Sequence, residues 1–445
     1  MLINSSNKLI KDLMNLFSYF YLLNLLLTAV FMRSYVGLIL FNFRIGEILI
    51  GFCLLISIII FSNTITQKLN INNEKALIKI TRIIVLSFFI VLIANNNFQI
   101  SLSIIKTSSY IWSLSYIFFG YFFLSKIEVK FTTLLFGLAL FASYFITFVN
   151  YPNFIIDFFI QFSDKFQFIK ASDILLLLVI FNFLIKRCNL NRNYEFFIFV
   201  ITTSLFIPYF FVQSRGSVLA SLVFVIISLY SYKKYISENI LKFSFAIILS
   251  FVSFYFSSYL LSGIDFSEQK NEIEVTALND AIKKEVVKKK NISQGFLTFY
   301  FADGRIHSYD NTTDWRLDIW QDLVEDLVIK NKILFGFGYE GVFEVMLDPT
   351  APGRLGRDGL NENVHNYFIN ILGRGGLFQL LLFLYFYFLL FKRWSKNIGK
   401  IDFFIFFIPI LIVSSLDVTM EGVQFPLLLL SFVGYFLSLD YHNKV

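Results

Sequence analysis

Apolar residues arrive along this chain in runs of about 15 to 20, the length at which a helix crosses a bilayer, and one long polar stretch interrupts the series. In hydrocarbon only helices and closed barrels satisfy their own backbone groups, and the short alternating strands of a barrel are absent from the sequence. The pattern predicts about twelve spans: Met14–Met32, Ile45–Phe61, Ile78–Ala94, Ser109–Leu124, Phe131–Val149, Asp173–Ile185, Glu195–Val212, Ser217–Tyr232, Lys242–Leu261, Leu377–Phe391, Asp402–Leu416 and Gly422–Leu439. The fold class is an all-α polytopic membrane protein with one large external loop containing short helices. Residues 1–261 hold the first nine helices, 262–376 the loop, and 377–445 the last three helices with a short tail. The first run lacks a small-residue cleavage site after its apolar stretch and reads as a retained span.

Loop charge sets the orientation. With the N-terminus in the cytoplasm, the inner flanks carry Lys8, Lys11, Lys68, Lys75, Lys126, Lys130, Lys186, Arg187, Lys233, Lys234, Lys392 and Arg393, while the short outer loops carry only Arg33, Arg44, Lys106, Lys165, Lys170 and Arg215. The long polar segment then lies outside the cytoplasm. The net charge of +7 is mostly this topology signal and implies no nucleic-acid partner. Phe and Tyr are abundant in loops as well as helices, alongside Ile, Asn and Lys, which reads as compositional bias and not as an aromatic binding stripe. Cys53 falls in a span and Cys188 on an inner loop, so the external segment has neither a disulfide nor a thiolate metal site.

The external segment divides in two. Up to about Tyr309 it is charged and irregular, and Asp280–Lys290 could form an amphipathic helix on anionic headgroups, although a solvated linker is the favoured reading. From Asp314, Trp315, Leu317, Ile319, Trp320, Leu323, Leu327 and Ile329 recur at roughly helical spacing. That helix ends at a glycine loop containing Gly336, Gly338 and Gly341, where positive φ, close backbone approach and N–H groups offered to an anion are all open to the chain. Of three histidines, His442 lies at the C-terminal end and His307 has no motif around it. His365, in Val364-His365-Asn366, stands where the polar segment re-enters the membrane. Gly373, Gly375 and Gly376 follow and predict a short surface helix, a turn, and then the tenth span.

The order Gln213-Ser-Arg-Gly216, Trp315-Arg-Leu-Asp-Ile-Trp320, Gly336-Phe-Gly338, then His365-Asn366, nine residues and Gly376 resembles the O-antigen ligase and O-antigen polymerase superfamily. The resemblance covers roughly Phe211 to Leu439, while the first five spans match in number and hydropathy alone. It implies a GT-C-like membrane glycosyltransferase of the bacterial inner membrane with its large loop in the periplasm. The donor would be an undecaprenyl-diphosphate-linked glycan, and the acceptor lipid A-core or another glycan. Ligase chemistry is the leading expectation and polymerisation of lipid-linked repeats the alternative; Gln379, where ligases tend to have Gly, Thr or Tyr, is a departure that bears on this choice. A flippase or other transporter is the reading from a different class, disfavoured because no internal repeat or deep ionisable residue is seen.

A glycan activated by diphosphate needs a hydroxyl nucleophile and stabilisation of the leaving group. His365 suits proton acceptance, since an imidazole titrates near neutrality, and contact with the diphosphate or orientation of the acceptor fits equally well; a boundary histidine satisfied by water is the bland alternative. Arg215 and Arg374 are candidates for the diphosphate, because guanidinium grips phosphate oxygens in a bidentate fork, and the resemblance implies Arg316, through its Arg-and-Trp pattern, as a further one. Arg215 is also accounted for as an interfacial anchor and Arg316 as a salt-bridge partner of Asp314, Asp318 or a neighbouring loop. Asn366 either orients the imidazole or caps the helix that follows, with Trp320, Gly336, Gly338 and Gly376 in support. Glu340, Asp417 and Glu421 lie on the same side; any of them could hold an acceptor or balance the charge of an arginine, with a solvated loop carboxylate as the default reading. No metal site and no cofactor is expected, as no Asp-x-Asp pair or His/Cys cluster is present.

Overall fold

The computed structural model of the chain describes residues 2–61, 75–96, 100–149, 151–262, 298–348, 354 and 362–442, and the protein is mostly helical. Its first half comprises α1 (Leu2–Val36), the two-residue strands β1 (Ile39–Leu40) and β2 (Phe43–Arg44), α2 (Ile45–Phe61), α3 (Lys75–Ala94), α4 (Leu102–Thr107), α5 (Ser109–Trp112), α6 (Tyr116–Phe123), α7 (Val129–Phe148) and α8 (Asn153–Phe162). Then come α9 (Ala171–Arg187), α10 (Arg192–Gln213), α11 (Arg215–Ser231), α12 (Lys233–Glu238) and α13 (Ile240–Ser262). An antiparallel hairpin, β3 (Phe299–Ala302) with β4 (Arg305–Ser308), leads into α14 (Asn311–Ile329); α15 (Tyr367–Asn397), α16 (Lys400–Leu416) and α17 (Gln424–His442) complete the chain.

Each predicted span overlaps helix, but only six described helices are long and apolar enough to cross a membrane by themselves, which leaves the count of twelve unsupported. The others are shorter, and the span expected at Ser109–Leu124 is broken by a 3-10 turn at Ser113–Ser115. Similar apolar runs find different surroundings. In α9, Ile174 to Ile180 are all buried, so this helix is apolar on every side and forms the centre of the bundle. In α13, Phe245, Ile248, Phe251, Tyr255 and Tyr259 face outward and only Ala246, Ser253, Ser257 and Leu261 are buried, the pattern of a rim helix turned toward lipid.

Polar contacts sort the loops to two ends. At one end Arg33 Nη1 donates to Gln167 Oε1 (2.9 Å), Lys332 Nζ to Asn95 Oδ1 (2.9 Å) and Thr107 Oγ1 to Tyr339 O (2.5 Å), while Lys106 pairs with Glu362 (3.4 Å), Lys170 with Asp417 (3.7 Å) and Arg215 with Asp310. At the other, Lys186 pairs with Asp402, Arg192 Nη2 donates to Ser231 O (3.1 Å) and Tyr435 Oη to Ile127 O (3.1 Å). Each of these contacts joins segments that loop charge assigns to the same side.

Two local expectations change. The irregular stretch ending near Tyr309 contains the β3–β4 hairpin, turning at Asp303 and Gly304, whose φ values of 51° and 79° are those of a two-residue hairpin turn. The external helix starts at Asn311, three residues before Asp314, because Asp310 caps it: its carboxylate accepts from Thr313 N (3.0 Å). Cys188, just past α9 on the inner side as expected, is buried beside Thr133 Oγ1 (3.1 Å). The possible helix at Asp280–Lys290 lies outside the described residues.

Candidate functional site

The site grows from the junction between α14 and the start of α15. Asn366 is the N-cap of α15, its side chain accepting from Phe368 N (3.0 Å) and Ile369 N (3.1 Å), which settles its capping role. One residue earlier His365 has φ 53°, a left-handed conformation that costs a non-glycine residue on the order of 1 kcal/mol or more and is best tolerated by Asn, Asp and His. Two tryptophans of α14 hold this turn. Trp320 Nε1 donates to Val364 O (2.6 Å), and the Trp315 ring meets the His365 imidazole edge-on at 5.2 Å between centroids.

Arg316, between those tryptophans, is half-buried and makes no ion pair with Asp314 or Asp318; the carboxylates that act on it are Asp417 and Asp310. Its Nε is sealed from solvent with no hydrogen-bond partner among the described residues. Burial lowers its pKa, since a guanidinium loses water there. The same burial pushes the His365 imidazole down to about 4, with the Arg316 charge adding to the fall and Asp417 opposing it. His365 therefore stands as a neutral base at physiological pH.

Asp417 and Glu421, expected as solvated loop carboxylates, are instead drawn into this cluster between α16 and α17. Asp417 accepts from Ser172 Oγ (2.9 Å) and lies 3.7 Å from Lys170 Nζ. Burial alone would raise its pKa, but Lys170, the Ser172 hydrogen bond, His365 and Arg316 outweigh burial and hold it below the ordinary carboxylate value. Glu421 accepts from Thr419 N (3.1 Å) through one oxygen; the other is sealed from solvent without a partner among the described residues. Burial, joined by the Asp417 charge, raises Glu421 to about 7.

Arg215 opens α11 directly after the N-cap Ser214 and pairs with Asp310, itself the cap of α14. Burial would raise Asp310, and Thr313 together with Arg215 reverses that shift. One carboxylate thus starts α14 and fixes Arg215 near Arg316, whose nearest charges include the same Asp310.

The glycines and Arg374 belong to a second cluster. Gly376 bends α15 at φ 68°, and a Cβ there would overlap Leu334 O; across this bend Leu377 N donates to Ile333 O (2.8 Å) and Phe378 N to Leu334 O (3.1 Å). The expected turn at the glycine cluster is this kink. Gly336 N donates to Lys332 O (2.7 Å), Phe337 N to Gly373 O (2.8 Å) and Gly338 N to Arg374 O (3.0 Å). Those N–H groups are engaged with carbonyls, so the glycine loop is not the anion nest its sequence allows. Arg374 is buried, its Nη1 donating to Glu340 O (3.3 Å) and its guanidinium lying 4.0 Å from the centre of the Phe343 ring. Gln379 is also buried here, accepting from Tyr110 Oη (2.6 Å) and donating to Ser87 Oγ (2.9 Å) and Tyr339 Oη (2.6 Å).

His365, Arg316 and Arg215 are thus joined around the α14 N-terminus with Trp315, Trp320 and Asn366, while Arg374, Gly336, Gly338 and Gly376 form the frame behind them. Sequence reasoning missed Lys170 and Ser172. The available signal was their position at the outer end of a span whose neighbours all reach the same side.

No curated protein matches the chain. Residues 197–384 match the family model described as O-Antigen ligase, a segment that contains Arg215, Arg316, His365 and Gly376 and leaves Lys170, Asp417 and Glu421 outside it. Over that segment, somewhat less than half of the sequence, the chain is similar to the O-antigen ligase family of membrane enzymes.

Proposed function

We propose that this protein is a glycosyltransferase that moves an undecaprenyl-diphosphate-linked glycan onto an acceptor hydroxyl at the outer face of the bacterial inner membrane, in the manner of a ligase acting on lipid A-core or a comparable glycan. The observation that carries the reading is the juxtaposition of a neutral, half-buried His365 with Arg316, a cation whose Nε has no hydrogen-bond partner among the described residues. One accepts a proton, and the other receives a phosphate oxygen.

In this reaction the acceptor oxygen attacks the anomeric carbon, and the bond from that carbon to the diphosphate oxygen breaks. The leaving diphosphate keeps the bonding electrons and gains negative charge, which Arg316 and Arg215 offset. The hydroxyl proton passes to His365. The Arg316 charge depresses the imidazole in the resting site, so an anionic donor docking on Arg316 cancels that field and makes His365 a stronger base when substrate is present. Asp417, kept ionised by Lys170 and Ser172, stabilises the imidazolium that results.

Reconstituted protein supplied with labelled undecaprenyl-diphosphate glycan and lipid A-core should form glycan-bearing acceptor, and movement of the lipid across the bilayer without any transfer would sink this reading. In cells lacking the gene, long chains stranded on undecaprenyl diphosphate indicate a ligase. Single repeats attached to the final acceptor indicate a polymerase.

A further inference from the structure

Outside this site, the clearest unassigned surface is the β3–β4 hairpin. Its register pairs Phe299 with Ser308 and Phe301 with Ile306, so these four side chains share one face, while Tyr300, His307, Ala302 and Arg305 share the other. The second face and the open edge of β4 are tied down. Gln321 on α14 donates to Ile306 O (2.8 Å) and accepts from Ile306 N (2.8 Å), Arg305 pairs with Asp322, and His307 lies 3.4 Å from Asp314. The first face shows Phe299, Phe301 and Ile306 to the outside, with Phe301 73 % exposed.

Its depth is fixed by a contact already described. Two residues after β4, Asp310 holds Arg215, the first residue of α11, so the base of the hairpin lies level with the end of an apolar helix. Strands of four residues rise only about 14 Å, so a hairpin lying flat keeps its whole apolar face at that level. Aromatic side chains favour this zone of a bilayer, where apolar bodies leave water and backbone polar groups stay near it.

We propose that the Phe299–Ser308 hairpin is a membrane-seated wedge: its Phe299/Phe301/Ile306 face rests in the lipid boundary on the side of the His365 site, and the bilayer is its partner. The hairpin thereby steadies Asp310, and through it the N-terminus of α14 and the position of Arg215.

Spin-label accessibility tests this independently of catalysis. Cys53 and Cys188 are the two native cysteines and both are buried, so F301C and I306C each supply one reactive thiol at an exposed position. E325C, at a side chain 57 % exposed on α14, is the water-facing control. In nanodiscs of phospholipid without any polyprenyl lipid, nitroxides at 301 and 306 should collide preferentially with oxygen, which concentrates in hydrocarbon. Their oxygen-to-nickel ratio should exceed that at 325 several-fold. Labels at 301 and 306 as open to a water-soluble nickel chelate as the label at 325 would overturn the proposal. So would labels reached by neither reagent, which would mean that protein covers the face.

Discussion

Two polar clusters sit at the same end of this bundle, and both are built from arginine, glycine and aromatic residues. Around Gly376 most polar groups are satisfied within the chain: the N–H groups of Gly336, Phe337 and Gly338 reach carbonyls, Arg374 Nη1 donates to Glu340 O although its Nε is sealed without a partner among the described residues, and Gln379 binds three neighbours. Around His365 both an arginine and a carboxylate are left so. Arg316 Nε and Glu421 Oε1 are sealed without partners among the described residues, and Glu421 and His365 are both pushed toward their neutral forms. A buried polar group left unsatisfied costs about 1–3 kcal/mol, so a satisfied cluster contributes to folding while an unsatisfied one marks where binding energy is still to be gained. The comparison divides one set of motif residues into a frame and a reactive centre.

The largest test of that division is at His365. Its left-handed backbone suits Asn, so H365N keeps the turn while removing the base. Turnover should fall by roughly 10²- to 10⁴-fold, the usual worth of a positioned general base, with the melting temperature near neutral pH unchanged. H365A should lose comparable turnover and some stability as well, because Ala is strained at φ 53°. If H365N retains wild-type turnover in the transfer assay, the reactive centre is wrongly placed.

The second test sets the frame against the centre. G376A forces a Cβ into Leu334 O at a positive φ and should cost on the order of 1–3 kcal/mol, read as a lower melting temperature and less folded protein. The surviving molecules should transfer glycan nearly normally. R316K should behave in the opposite way, since ammonium keeps the charge and loses the bidentate fork, leaving stability intact and raising KM for the donor. A reversal of these two phenotypes would dissolve the distinction between the clusters.

How far each cluster was readable from sequence follows from its physics. The apolar helices were legible because hydrocarbon demands long apolar runs, although only six of those described reach spanning length, and the order of motif residues brought out His365, Arg215 and Arg316. The hairpin was missed although Asp303-Gly304 between Phe299, Phe301 and Ile306 is a strong turn signal; the surrounding charges masked a period of two over so few residues. The surroundings of Arg374 were hidden for a different reason. An arginine beside glycines reads as a phosphate contact, but its carbonyl partners and Phe343 come from the loop that Gly376 admits, and no local pattern announces that long-range approach. Lys170, Ser172 and Asp417 are distant in sequence and meet only because α9 and α16 end on one side.

The subtlest expectation concerns pH and stability within the reactive centre. The folded His365 is lowered to about 4 from an ordinary 6.5, so the stability it contributes is present above 6.5 and lost as pH falls toward 4. Glu421 is raised to about 7 from 4.5, so its contribution is present below 4.5 and lost as pH rises through 7. Asp417 is lowered below its ordinary value, and its contribution is lost only on deeper acidification. Across the window from about 4.5 to 6.5 the first two slopes oppose each other, and wild-type melting temperature should vary little through their combined effect. E421Q removes one slope, so its melting temperature relative to wild type should rise as pH increases from 4.5 to 7. H365N removes the other, so its advantage should grow as pH falls from 6.5 toward 4. Parallel curves for all three proteins across this range would mean that neither group changes protonation differently on folding, and that the unsatisfied character of the His365 cluster carries no energetic weight.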